Sequence, residues 1–306
     1  SVDTHRPADE FDVIAFNLSS ELVYTNLINC IDLAGIPIRA EERNIDHPLI
    51  GAGGHCTYNP EPLAEIVDFF ALGDGEEVVT DITNVVHKFK SLTSSSKTRA
   101  HLLRELAAIE GVYVPSMYDV QYDEGGNQYL TPKHEDIPKL IEKRTIVDLE
   151  EWPYPKQQLV PITEVVHDRL NVEVFRGCTR GCRFCQAGMI TRPTRQRKPE
   201  TVLKLAEEQV ANTGCDEVGL LSLSAGDYEP INYVLEQFFD RYSGDNVSVS
   251  LPSMRTETMT PKLAEQVATV RKSGFTFAPE AGSERMRRVI SKSNKEEDLM
   301  NAVRAT

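Results

Sequence analysis

Residues 172–185 read Val-Glu-Val-Phe-Arg-Gly-Cys-Thr-Arg-Gly-Cys-Arg-Phe-Cys, and this stretch decides the fold of the second half of the chain. Its apolar start, 172–175, predicts a buried strand, and the remainder predicts a loop that carries Cys178, Cys182 and Cys185. In barrels of alternating strands and helices, active sites form at the carboxyl ends of the strands. The three cysteines therefore mark a candidate metal site at such a strand end.

The spacing of these cysteines favours an iron–sulfur cluster. Three thiolates in one loop can bind three irons of a [4Fe-4S] cubane and leave the fourth iron without a protein ligand. Composition alone would produce this spacing with a probability on the order of 10⁻³. A closed zinc site needs a fourth ligand and usually a second pair of cysteines. His167 or Cys215 could provide one, so a structural zinc protein is the weaker alternative.

Strand and helix patterns alternate on the carboxyl side of residue 166. Strands are predicted at 172–175, 217–223, 247–251 and 275–278, and helices at 199–212, 230–242, 261–272 and 283–290. Four such units are half of an eight-unit barrel. We therefore expect residues 166–306 to form a partial (β/α) TIM-type barrel. The helical pattern at Thr306 and the absence of an initiator Met at Ser1 predict a piece of a longer chain.

The first 110 residues predict a second α/β domain. Strands are expected at 12–16 and 48–54, and helices at 22–33, 76–90 and 98–109; residues 62–70 fit a helix, although 69–72 also fit a strand. This alternation predicts a Rossmann-like, doubly wound parallel sheet. Residues 111–165 lack such periodicity, and Gly125-Gly126 with several prolines predicts a linker that contains a hairpin.

The pattern Cys178-x3-Cys182-x-Phe184-Cys185 resembles the signature of the radical S-adenosylmethionine (SAM) superfamily. This resemblance implies an enzyme whose open iron binds SAM and whose cluster reductively cleaves it to a 5′-deoxyadenosyl radical. By the same resemblance Phe184 lines the adenine side. Ser224-Ala225-Gly226-Asp227 replaces the usual double glycine and Glu of the family. The implied SAM contacts at strand ends are Ser224, Gly226, Asp227, Ser253, Arg255 and Glu280.

The front domain resembles the last part of the cobalamin (B12)-binding domain that precedes many radical SAM barrels. The likeness is carried by residues 51–55, 59–62 and 73–77. It implies a candidate cobalamin edge at Gly53, Gly54 and His55, although consecutive glycines also make a tight turn. The cobalt-ligand pattern Asp-x-His-x-x-Gly is incomplete, because Ala8 stands where it has glycine. Cobalamin is therefore a possible cofactor of the front domain.

These resemblances leave the substrate and the reaction open. Methyl transfer through cobalamin and methylthio transfer both fit, with a reductant such as flavodoxin or ferredoxin as partner. The altered segment at Ser224–Asp227 leaves a different class open as well, namely a noncatalytic cluster-carrying scaffold or electron-transfer protein.

Charge limits the range of partners. The formal net charge of −14 argues against a surface that binds nucleic acid as a whole. A local run nevertheless holds seven cations and no acid, at Arg176, Arg180, Arg183, Arg192, Arg195, Arg197 and Lys198. It could stabilise the cluster and SAM, dock an acidic electron donor, bind an anion such as RNA, or be a solvated loop. RNA is a minority possibility, because Phe184 is the one aromatic residue among these cations and makes no series of stacking positions. Without an apolar span or leader, we expect a cytoplasmic protein and no membrane partner.

Overall fold

Four strands form the sheet of the first half of the molecule. Strands β1 (Val13–Asn17), β2 (Leu49–Gly53) and β3 (Phe69–Ala71) are parallel, and β4 (Val112–Tyr113) is antiparallel to β3 at the edge. The computed structural model describes residues 4–93, 97–163, 165–166, 168–242, 244–259, 263 and 276–305. The chain divides into two units, Ser1–Ile146 and Val147–Thr306, and the division lies inside the segment predicted as a linker.

Three helices cover the sheet of the first unit. They are α1 (Tyr24–Leu33), α2 (Gly75–Lys90) and α3 (Arg99–Ala107). In α2 the buried residues are Val78, Ile82, Val86 and Phe89, which recur every three or four positions and so form one apolar face. The side chain of Thr98 accepts a hydrogen bond from the His101 N–H and caps α3. This unit therefore has the predicted Rossmann-like α/β organisation.

The helix predicted at 62–70 is wrong. The chain makes a short 3₁₀ turn at Glu61–Leu63 and then enters β3. Phe69 and Phe70 are both buried, so these adjacent residues need partners on both faces of a sheet. A helix would place them about 100° apart on one surface. The strand expected at 69–72 is present instead.

Two further segments complete the first unit. The hairpin expected around Gly125-Gly126 is formed by β5 (Tyr118–Tyr122) and β6 (Gln128–Pro132). Residues 143–146, here called the strap, then pass the carboxyl end of β3. The Arg144 N–H donates to the Leu72 carbonyl and the Asp74 N–H to the Arg144 carbonyl, both at 2.9 Å. The Arg144 guanidinium contacts Glu77 at 3.0 Å and Asp81 at 2.5 Å on α2.

The second unit contains three parallel strands in the order β11-β10-β7. These are β7 (Leu170–Glu173), β10 (Glu217–Leu221) and β11 (Ser248–Ser250). Helices α5 (Pro199–Thr213) and α6 (Ile231–Tyr242) connect them, as in a barrel, and their buried faces share a core with Leu170, Val218 and Val249. Helices α4 (Ala187–Ile190), α7 (Glu284–Val289) and α8 (Glu296–Ala305) complete the unit. These elements form part of a (β/α) barrel.

Two expectations in this unit need comment. The strand predicted at 172–175 is interrupted at Val174, and β8 (Phe175–Arg176) then pairs antiparallel with β9 (Arg195–Gln196). The helix predicted at 261–272 lies almost wholly outside the described residues, as does residue 275. Residues 276–278 of the strand predicted at 275–278 are not in a strand. Among the residues that the structure describes, no helix has the length and apolar character needed to cross a membrane.

Candidate metal centre

The three cysteines of the loop are free thiols. The Cys185 N–H donates to the Cys182 carbonyl at 3.1 Å. Two sulfurs accept backbone hydrogen bonds, Cys178 Sγ from the Arg180 N–H at 3.4 Å and Cys185 Sγ from the Gly188 N–H at 3.3 Å. These two bonds fix the orientation of both sulfurs within the loop.

The base of the loop is closed by the β8–β9 pair. Gly177 has a φ of +93°, and a Cβ there would lie 2.7 Å from the Pro193 carbonyl oxygen. A side chain would therefore collide with the returning chain, so this position requires glycine. The interruption at Val174 and the pairing of β8 with β9 together turn residues 177–194 into one closed loop at the carboxyl end of β7.

Three cysteine thiols are a donor set that iron–sulfur clusters take. Within the described ranges, no three His, Cys, Asp or Glu side chains converge on one ion position. Ligands of one zinc all lie about 2.3 Å or less from it, whereas each thiolate of a cubane binds a different iron. A Cβ built on Gly188 would lie 3.5 Å from Cys185 Sγ and 3.9 Å from Cys178 Cβ, so glycine leaves the space beside both cysteines free of a side chain.

The segment after β10 is brought to this loop. Residues Ala225–Asp227 form a 3₁₀ turn, and the Ala225 N–H donates to the Ser253 carbonyl at 2.8 Å. A Cβ on Gly226 would collide with the Thr258 side chain, so the two strand-end segments pack directly on each other. Ser224 is fully buried beside them. The fold thus gathers Ser224, Gly226, Asp227 and Ser253 at one edge.

Two ion pairs connect these segments to the cysteines. Arg180 binds Asp227 through two hydrogen bonds, Nε to Oδ2 at 3.1 Å and Nη2 to Oδ1 at 2.5 Å. Arg255 donates to Glu257 Oε1 from Nε at 2.7 Å, and its Nη1 lies 4.0 Å from Cys182 Sγ. Burial opposes ionisation of Asp227, but the bond from Arg180 and the charges of Arg180 and Arg255 bring its pKa below the usual value. The hydrogen bond to Asp227 raises the pKa of Arg180.

Sequence reasoning missed Arg180 and Glu257 as members of this site. The sequence shows Arg180 as one of seven cations in the basic run. Its position between two ligand cysteines is the signal that could have identified it.

Glu280 and Phe184 are placed less centrally. The Glu280 carboxylate contacts Lys292 Nζ at 3.2 Å, and its backbone has a φ of +69°. The segment that follows reaches the loop, because the Arg183 N–H donates to the Ile290 carbonyl at 2.9 Å. Phe184 lies within the loop with 55% of its surface exposed. The Phe184 ring is therefore available to a ligand.

Most arginines of the basic run bind the protein itself. Arg176 pairs with Glu173, Arg180 with Asp227, Arg192 donates to the carbonyls of Cys178 and Arg180, Arg195 to those of Thr191 and Pro193, and Arg197 to that of Leu149. The run therefore holds the loop together. Only some of its charge faces solvent, chiefly at Arg183, Arg192 and Lys198.

The glycines at the end of β2 in the first unit serve different purposes. Gly54 has a φ of +99°, and a Cβ there would collide with Asn17 Oδ1. It makes the tight turn that lets the Cys56 N–H donate to the Leu18 carbonyl at 3.0 Å. A Cβ on Gly53 would meet no atom within 4 Å, and His55 is exposed. Gly53 and His55 thus face the open part of the sheet edge, whereas the strap covers the end of β3.

Comparison with known proteins agrees with this architecture. Residues 1–115 match the family model described as radical SAM proteins, N-terminal, and residues 172–306 match that of the radical SAM superfamily. Uncharacterized protein MJ0966 of Methanocaldococcus jannaschii is 30% identical over 299 residues, which cover 96% of this chain and 55% of that protein.

Solved structures show the same fold. The radical SAM methyltransferase TsrM of Kitasatospora setae, with cobalamin and a [4Fe-4S] cluster bound, matches with a TM-score of 0.57 at 12% identity, over 96% of this chain and 56% of that one. The same enzyme with tryptophan substrate and the SAM analogue aza-SAM bound matches equally well over 54% of its length. The chain spans about half the length of the relatives it matches.

Proposed function

Because the chain belongs to the radical SAM superfamily and has a B12-binding-like front domain, we propose that it is an enzyme that holds a [4Fe-4S] cluster through Cys178, Cys182 and Cys185. The single observation that carries this proposal is the closed loop at the end of β7, in which two of the three sulfurs accept backbone N–H bonds. When bound, the cluster would supply one electron for the cleavage of SAM at the iron without a protein ligand.

The remaining strand-end residues would position SAM. Ser224, Gly226 and Asp227 lie beside the loop and would receive its amino group, with Asp227 sharing its carboxylate between that group and Arg180. Ser253, Arg255 and Glu280 are proposed for its ribose and carboxylate, and the exposed Phe184 ring for adenine. The hydroxyls of Ser222 and Ser250 support a polar ligand here, because both are buried without a hydrogen-bond partner in the described part of the chain.

Methyl transfer is the reaction class best supported. The matching structures are those of a methyltransferase with cobalamin bound, and the open sheet edge at Gly53 and His55 offers space for such a group. Gly54 would contribute through the turn that it makes. Methylthio transfer stays the alternative within the superfamily, with a flavodoxin- or ferredoxin-type reductant in either case.

Electron paramagnetic resonance tests the central proposal. The full chain is reconstituted anaerobically with iron and sulfide, reduced, and measured with and without SAM. We expect a [4Fe-4S] signal that shifts when SAM is added. The absence of a cluster, or tightly bound zinc in its place, would overturn the proposal.

A noncatalytic scaffold is the second candidate, favoured by the engagement of Asp227 with Arg180. It predicts a cluster without 5′-deoxyadenosine production when reductant and SAM are supplied.

Cobalamin binding is tested separately. The full chain is incubated with hydroxocobalamin and freed of excess ligand, and the retained visible absorbance is measured. Retention that is lost in His55→Ala but kept in His134→Ala, which changes an exposed histidine of the same unit, would support the front-domain site. No retention by the folded chain would leave methylthio transfer or another reaction.

A further inference from the structure

We propose that Arg255 sets the reduction potential of the cluster, as the innermost charge of two coupled ion pairs, Arg180–Asp227 and Arg255–Glu257. This inference rests on the proposed function, since it concerns the same cluster. It assigns Arg255 a role that does not require SAM.

The geometry puts the Arg255 charge beside a ligand sulfur. Its Nη1 lies 4.0 Å from Cys182 Sγ, within hydrogen-bonding range of sulfur. The Arg255 side chain is 9% exposed and Cys182 is 8% exposed. Water therefore screens this contact poorly. Glu257 holds the guanidinium in place through Oε1, at 2.7 Å from Nε and 2.6 Å from Nη2.

Charge of this kind acts directly on the redox equilibrium. Reduction adds one negative charge to the cluster, so a nearby cation stabilises the reduced form and raises the potential. Hydrogen bonds to the sulfurs and local net charge are among the main determinants of iron–sulfur potentials. Arg255 contributes both, because it is a cation and its Nη1 lies 4.0 Å from Cys182 Sγ.

The second ion pair, Arg180–Asp227, makes the potential of the cluster sensitive to the loss of any one of the four charges. Arg180 stands between the two cysteines in the chain; its backbone N–H donates to Cys178 Sγ at 3.4 Å, and its guanidinium pairs with Asp227. Two cations and two anions thus alternate beside Cys178 and Cys182, with a net charge of zero. Removal of one charge leaves one unit uncompensated near the sulfurs. The sign of this uncompensated charge then fixes the direction in which the reduction potential of the cluster changes.

Redox titration of the full, reconstituted chain without SAM tests this inference. In Arg255→Met the uncompensated Glu257 should shift the midpoint to a more negative value. We expect the ratio of reduced to oxidised cluster at a fixed potential to fall about tenfold, which corresponds to about 59 mV for a one-electron couple. Glu257→Gln should shift it in the opposite direction, and Arg255→Lys should stay near the wild type.

Arg241→Met is the matched control, because Arg241 forms an exposed pair with Glu207 on α6 and α5 and should leave the potential unchanged. Unchanged potentials in Arg255→Met and Glu257→Gln, or shifts in the same direction, would overturn the inference. If Arg255→Met fails to hold a cluster, the opposite shift in Glu257→Gln decides. A wild-type chain that binds no cluster would instead contradict the proposed function.

Discussion

At the scale of single residues, the six cysteines differ in where they lie in the fold. Cys178, Cys182 and Cys185 share one loop, whereas Cys30 lies exposed on α1 and Cys215 follows α5. We expect Cys182→Ala to lose most of the iron bound after anaerobic reconstitution, because one iron loses its thiolate. Iron and sulfide per chain are the measurement. Cys30→Ala and Cys215→Ala should match the wild type, and equal losses in all three variants would refute the assignment.

The adjacent glycines Gly53 and Gly54 are expected to differ in how much a substitution by alanine lowers stability. In Gly54→Ala the new methyl group would collide with Asn17 Oδ1 in a left-handed backbone conformation, so we expect the free energy of unfolding to fall by about 1–3 kcal/mol. Gly53→Ala places its methyl group in open space and should change stability by less than about 1 kcal/mol. Urea unfolding of both variants is the check. Equal destabilisation would show that the turn does not depend on Gly54.

Tyr118 gives a prediction for alkaline pH. Burial raises the pKa of Tyr118 to about 12, and its hydroxyl donates to the Pro138 carbonyl at 2.8 Å. Between pH 10 and 12 the unfolded chain has lost this proton while the folded chain retains it, so stability falls as pH rises. The expected loss by pH 12 is about 2 kcal/mol. Tyr118→Phe should make the loss of stability with rising pH smaller in urea titrations, whereas other buried tyrosines with a raised pKa, such as Tyr113 and Tyr228, keep their contribution. An unchanged slope would contradict the assignment.

The sequence alone indicates the cysteines of the site but not their charged neighbours. The spacing of Cys178, Cys182 and Cys185 lies within one loop and is visible in the chain. The Arg180–Asp227 pair joins positions 47 residues apart, and its formation depends on how the segment after β10 meets the loop. Many acids could have paired with Arg180, and only the packing of the strand ends selects Asp227.

At the scale of elements, a buried ion triad connects the first unit. Asp68, at the start of β3, accepts bonds from Arg43 at 2.9 Å, Arg99 at 2.8 Å and the Ile50 N–H at 2.7 Å. Arg43 and Asp68 are fully buried. Asp68→Ala would leave two arginines without their acid, so we expect it to cost about 3–5 kcal/mol.

The exposed pair Lys90–Asp12 is the control for this change. Asp12→Ala should cost less than about 1 kcal/mol, because water screens a surface ion pair. Guanidinium titrations of both variants, followed by circular dichroism, compare them. Similar costs would show that burial does not decide the contribution of the triad.

Elements with one apolar face are predicted well from the sequence, and short ones are not. Helices α2 and α5 begin and end within about one residue of their predicted bounds, because their buried residues recur at helical spacing. At 62–70 the same spacing is misleading, since Phe69 and Phe70 obtain their partners from β2 and β4 across the sheet. The two-residue strands β8 and β9 are too short to be predicted as separate strands, and Phe175 of β8 falls at the end of the pattern at 172–175. Their pairing follows from the closure of the loop.

At the scale of the whole molecule, an exposed segment near the start of the second unit predicts a preferred site of proteolysis. Residues 155–156 are bound to α5 through Gln209 and Asn212. Leu159 and Ile162, by contrast, are fully exposed in a segment without regular structure. A protease that cleaves at aliphatic residues should cut here first and give two fragments of similar size.

Replacement of Leu159, Val160 and Ile162 by Ser should slow that cut, as followed by mass spectrometry. Early cleavage within α2 or α5 would contradict this prediction.

The strap sets the limit for shortening the front domain. A recombinant fragment that stopped at residue 110 or 115 would keep all of β1 to β3 yet lose Arg144. The two backbone hydrogen bonds that Arg144 makes with Leu72 and Asp74 would then be lost, and Glu77 and Asp81 would repel each other on α2 without their counterion. Ile146 also donates its N–H to the Asp74 carboxylate. An expression boundary for the isolated domain therefore belongs after Ile146, beyond the point where its sequence pattern fades.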